Sequence, residues 1–187
     1  MESVGFKEWA LVCEALGRGE QTVILRKGGI AEGREGFSFK HAEFFLFPTF
    51  FHEQVGKVRG GRAELPQATP GEIEIRFFAK VEAAATIVSR ETAAALDRFH
   101  ILHADVVRER FEYDEAPGIH VAFLRTFRLA TPWKFADQRQ FGGCRSWLRL
   151  PARPAEMRFE PVLSDSEHAA RLAEFRAVVA HEPAAAA

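Results

Sequence analysis

The chain has 187 residues, 47% hydrophobic and 27% charged, a balance that suits one globular domain with its own core and excludes a disordered or disulfide-stapled chain. A net charge of −1 excludes a globally basic nucleic-acid footprint and leaves room only for a local patch. The two cysteines, Cys13 and Cys144, stand outside any CxxC pattern, which excludes a zinc knuckle and points to free thiols in a reducing compartment.

In chain order, Phe6, Trp9, Cys13 and Leu16 recur at helical spacing and predict a helix over residues 3–16, stopped by Gly17 and Gly19. Gln21 to Arg26 (QTVILR) is rich in β-branched residues and predicts a strand that ends in a Lys27-Gly28-Gly29 turn. Residues 30–40 read as a loop. Glu43 to Phe47 (EFFLF) predicts a second strand, closed by Pro48, after which Thr49 is placed to cap a short helix through Val58. Residues 60–71 are rich in turn formers.

From Glu72 to Val81 the pattern alternates. Ile73, Ile75, Phe77 and Ala79 face one way and Glu72, Glu74, Arg76 and Lys80 the other, as in a half-buried strand. Ser89 caps a helix to about Phe99, and a second helix follows over Ala104 to Phe111. Ile119 to Leu129 and Ser146 to Leu150 predict two more strands. Ser164 and Glu167 form a capping box for a last helix to about Ala180. One domain over residues 1–182 and a frayed tail over 183–187 follow. Strands and helices mix without a βαβ rhythm, so the expected class is α+β, a small curved antiparallel sheet or open β-barrel flanked by helices. No basic stretch followed by an apolar run opens the chain, and no uncharged apolar run nears the roughly 18 residues of a membrane span. A cytoplasmic protein with no membrane partner is expected.

Three segments carry residues suited to binding. Arg26, Lys27, Gly28 and Gly29, with Glu32 beyond, set cations beside exposed backbone N–H groups, which suits a phosphate or carboxylate; a solvated hairpin tip uses the same residues. The second segment holds His41, Glu43, Thr49 and His52, a His/carboxylate mixture that suits a metal but matches no HExxH spacing. In the third, Gly142 and Gly143 precede Cys144, Arg145 and Trp147. Arg145 offers a planar fork to an anion and Trp147 a stacking face or a core anchor, while Cys144 reads as a buried structural thiol. Glu72, Glu74, Arg76 and Lys80 share one face of a strand and need no catalytic explanation.

Glu8-Trp9, the block Val23-Ile24-Leu25-Arg26-Lys27-Gly28-Gly29-Ile30 with Glu32 and Phe37, Phe44 to Thr49 with His52-Glu53-Gln54, and Gly143-Cys144-Arg145-Ser146-Trp147 together resemble the bacterial domain of unknown function numbered 1802 over residues 6–150. That resemblance implies no activity. It implies an association, in some members, with a restriction-endonuclease-type domain, and so a link to DNA restriction-modification or defence and a nuclease partner protein. The architecture is also similar to small barrels of the PUA, ASCH and EVE type, several of which hold modified bases or RNA. Lys27, Gly29, Glu32 and Arg34 echo the ASCH pattern GxKxxExR with altered spacing.

These readings converge on a nucleic-acid or nucleotide binding module. Its ligand-binding residues would be Arg26, Lys27, Gly28, Gly29 and Glu32, then His41, Thr49 and His52, then Arg145 and Trp147, with phosphate contacts and stacking as in readers of single strands or flipped bases. A metal-dependent hydrolase or nuclease using His41, Glu43, His52 and Glu32 is one alternative. A protein–protein interaction domain with an exposed Phe patch within Phe44 to Phe51 is another. No cofactor is specified.

Overall fold

In the computed structural model, which describes residues 3–27, 37–60, 64–113 and 117–182, the chain enters as a strand and only then as a helix. Strand β1 spans Val4–Trp9 and helix α1 spans Ala10–Gly17, which corrects the first half of the predicted helix. The apolar spacing of Phe6 and Trp9 fits either structure, and the sheet decides between them. β1 is paired on both sides, in parallel with β3 (Glu43–Thr49) and antiparallel with β6 (Trp147–Arg149), so tertiary pairing overrides local pattern. Gly5 makes the close approach possible, since a Cβ there would stand 2.9 Å from the Leu150 side chain.

The remaining strands are β2 (Val23–Arg26), β4 (Glu72–Ile87), β5 (Ile119–Ala136) and β7 (Phe159–Pro161). They assemble in the order β2-β5-β4-β3-β1-β6, with β7 added to β5. Every pairing except β1 with β3 is antiparallel, and the sheet is open between β2 and β6. This is the expected α+β class with helices on an open, largely antiparallel sheet. The hairpin reading of the Lys27 turn is corrected, because β2 pairs with β5 and not with β3.

β3 is buried on both faces. Phe44 and Leu46 enter one apolar cluster and Phe45 and Phe47 another, which is why EFFLF carries no polar alternation. The strand also runs past Pro48 to Thr49. β4 pairs only with Glu43 to Phe45, so at Pro48 the one neighbour is β1, and the missing N–H goes unneeded. Thr49 does not cap the next turn. Its hydroxyl donates to the Glu8 carbonyl at 3.0 Å, and a short 3₁₀ helix over His52–Lys57 starts after Phe51.

The predicted single apolar face of β4 is divided in two. Ile73 and Ile75 pack in the second cluster and Phe77 and Ala79 in the first, because a register shift between Ile75 and Phe77 turns the strand over. β4 and β5 each run beyond their predicted ends and pair over almost their whole length. Ser89 caps α2 (Arg90–Ala95) by accepting from the Thr92 N–H, and α3 spans Ala104–Phe111. Ser164 and Glu167 form the capping box of α4 (Asp165–Val179), whose Phe175 packs against Phe99 and Phe123. The short β7 escaped prediction. Among the described residues no helix is long and apolar enough to cross a membrane.

Candidate functional site

The C-terminal end of β1 delivers a charge to the interior. Alternation places Glu8 inward beside Phe6, and its side chain is only 1% exposed. One carboxylate oxygen accepts from the Trp9 N–H at 2.8 Å, and the other stands 3.7 Å from the Arg26 guanidinium at the end of β2. Arg26 also donates to the Lys7 carbonyl and lies over the Phe6 ring at 5.0 Å. A second guanidinium, Arg110 from α3, donates to the Leu25 carbonyl at 2.8 Å and covers the Trp9 ring at 4.7 Å. Burial pushes its pKa down to about 10, with Glu8 opposing the shift, so it remains charged at neutral pH.

Above this floor opens a cavity of about 290 Å³. Arg26, Lys27, Lys57 and Arg110 bring cations to it, and Glu109, 3.9 Å from Lys57, brings one anion. Trp9 and Tyr113 supply aromatic walls, and Cys144 and Ser146 close the side towards β6. Lys7 donates to the Gly143 carbonyl at 2.8 Å, and burial and the nearby Arg145 both lower its pKa. Two guanidiniums over one buried carboxylate leave a net positive floor, and the lysines add to it.

The first and third predicted segments therefore meet, with Arg26 and Lys27 facing Cys144 and Ser146 across one cavity. Gly28, Gly29 and Glu32 lie outside the described residues, as does Arg34. Arg145 sits beside Lys7 at the margin. Trp147 does not line the cavity. Its ring packs on Phe6 and Phe44 and meets His41 at 4.8 Å, and its Nε1 donates to the Ser38 carbonyl at 3.3 Å. The second segment reaches the cavity only through neighbours: Thr49 holds the Glu8 carbonyl, exposed His52 starts the 3₁₀ turn, and Phe51 abuts Trp9. Cys144 was expected buried and is exposed, because Gly142 and Gly143 carry it out of the sheet before β6 begins; Cys13 is the buried thiol.

Glu43 is engaged with Lys80 at 2.7 Å, and among the described residues no three His, Cys, Asp or Glu side chains gather as a metal site would require. Glu72 and Glu74 share Lys134 at 2.9 and 3.1 Å, the surface pairing their alternation implied. Phe44, Phe45 and Phe47 are buried, so the Phe patch of the interaction reading shrinks to Phe50 and Phe51.

Sequence reasoning passed over Lys57, Tyr113 and Arg110. Arg110 left a trace, because it follows Val106 and Val107 by four and three residues and so stands on the apolar stripe of α3. A cation there has to find a carbonyl, a carboxylate or a ring.

Among solved structures, a mutant of the ASCH protein from Zymomonas mobilis is 14% identical, with a TM-score of 0.51 over 92% of this chain and 94% of that one. The ASCH protein of Zymomonas mobilis itself is 15% identical, with a TM-score of 0.49 over 92% and 94%. The first of these shows a likeness of fold, an ASCH-like arrangement of the open sheet and its helices. No curated protein sequence matches the chain. The family profile described as Domain of unknown function (DUF1802) matches residues 5–174, and the chain belongs to that family.

Proposed function

We propose that the chain is a nucleic-acid or nucleotide binding module that holds a phosphate group in the cavity between β1, β2 and α3. One observation carries this reading: Arg26, Lys27, Lys57 and Arg110 converge with Trp9 and Tyr113 around about 290 Å³ of open space. Guanidinium and ammonium groups suit phosphate oxygens, and the aromatic walls suit a base. The ASCH-like fold agrees with it as a fold alone. Restriction-modification, defence and a nuclease partner follow from no residue or contact described above.

The test is fluorescence anisotropy with labelled single-stranded and duplex oligonucleotides between about 50 and 200 mM salt. Binding is expected at low salt and should weaken as salt rises. Lys57→Ala, whose side chain is exposed at the rim, should weaken binding several-fold and make the salt dependence shallower. Failure of the wild-type chain to bind any nucleic acid or nucleotide at low salt would remove the proposal.

A further inference from the structure

We infer that the occupant of this site is an unpaired strand, with a phosphate on the cavity cations and neighbouring bases stacked on Tyr113 and Phe51. The inference rests on the phosphate reading above and specifies its ligand. Two observations beyond the cations carry it. Among the described residues the exposed large apolar side chains are Phe50, Phe51, Val55, Val88 and Tyr113. Two of the three aromatic rings in that set border the cation site. Tyr113 lines the cavity and is 67% exposed; Phe51 is 38% exposed and stands in an edge-to-face contact with Trp9 at 5.7 Å, the ring planes 89° apart. Exposed rings next to fixed cations offer π-faces, and only an unstacked base has a face free to meet them. A duplex keeps its base faces against one another and presents phosphates alone.

Charge points the same way. A duplex carries one negative charge per roughly 1.7 Å of axis and calls for an extended basic surface. Among the described residues the cations of this site gather at one cavity, with Lys7 and Arg145 at its margin, Glu109 stands at its rim beside Lys57, and the whole chain has a net charge of −1. The four cavity cations less Glu109 and the buried Glu8 leave about two positive charges, enough for the phosphate in the cavity and one neighbour, and for a single strand a slope of log K against log salt of about −1.4.

The experiment compares labelled oligo-uridine and oligo-thymidine octamers, a duplex octamer and a free nucleotide monophosphate by anisotropy and competition. Single strands should bind about tenfold or more tightly than the duplex, with the shallow slope given above. Phe51→Ala and Tyr113→Ala should each weaken single-strand binding at least about fivefold and leave the slope unchanged. Phe50→Ala should change nothing, because Phe50 faces the separate groove beside Pro48 and Pro66. Lys57→Ala should also weaken binding but, unlike the ring variants, reduce the steepness of the slope by about 0.7. The substituted side chains are exposed or half-buried, and circular dichroism checks that each variant folds. Uridine and thymidine octamers binding alike would mark the strand as read without its 2′-hydroxyls or the C5 methyl of thymine; a preference for either would show that one of these two groups is read, and each of these results supports an unpaired strand. Equal binding of duplex and single strand, indifferent to Phe51 and Tyr113, would overturn this inference and leave the phosphate reading standing. A free nucleotide competing as well as the octamer would overturn it too. No binding by any probe would remove both.

Discussion

Glu8 and His100 are each an ionisable side chain in a place where water cannot help, and each is resolved differently. Glu8 stays beside a guanidinium and a backbone N–H. His100, 3% exposed, is held neutral instead. Burial, and next the Arg59 guanidinium, lower its pKa to about 4, and its Nδ1 accepts from the Leu102 N–H at 3.2 Å, which requires the unprotonated nitrogen. An unfolded histidine titrates near about 6.5. Below that pH the unfolded chain takes up a proton that the folded chain refuses until about pH 4. The contribution of His100 is therefore complete above about pH 6.5 and falls by roughly 3 kcal/mol at most as pH drops to 4. Urea midpoints at pH 7 and pH 4.5 should show this loss, and His100→Asn, which keeps an acceptor near Nδ1, should reduce the difference between them. An unchanged pH dependence in that variant would contradict the assignment. The same residue scale explains why Arg110 was overlooked: next to Arg108 and Glu109 on α3 it looks like a surface cation, and only its contacts with Leu25 and Trp9 show that it is buried.

At the level of elements, those whose signals are local kept their predicted form. The capping box of α4 is formed as read, with the Ser164 hydroxyl accepting from the Glu167 N–H at 3.3 Å and the Glu167 carboxylate accepting from the Ser164 N–H at 3.1 Å. Ser164→Ala should cost about 1 kcal/mol in urea unfolding, and a loss within error of zero would show that the cap is redundant with the Phe175 anchor and the bond from Arg171 to the Gly19 carbonyl. Elements whose backbone partners lie far along the chain were the ones misread. The residues of β1 fit a helical stripe until β3 and β6 occupy both of its edges. Thr49 matches a cap until the Glu8 carbonyl takes its hydroxyl. The face of β4 changes at a register shift against β5, which is invisible in an alternating string of Ile, Phe and Ala.

Over the whole molecule, the two apolar clusters share β3 and β4 as a common wall. Trp133 belongs to the second cluster, and Trp147 packs against the first. Variants that keep only one of these tryptophans should report coincident urea transitions, as expected of one domain; separated midpoints would divide the chain into independently folding parts. Composition, the double-sided apolar run of EFFLF, the amphipathic alternation of β4 and β5 and the helix caps were all legible in the string of residues, because each depends on neighbours within a few positions. So were Arg26, Lys27 and Arg145 as cations beside glycines. What only the tertiary structure decided is which of these face one another. Arg26 pairs in register with His120, Glu8 with Pro48 and Phe6 with Trp147. Contacts of that range are set by how the whole sheet closes its hydrogen bonds and buries two faces at once. The cavity is made from those contacts, with Arg26 and Arg110 lining it above the buried Glu8, and a periodicity of two or of 3.6 residues carries no information about them.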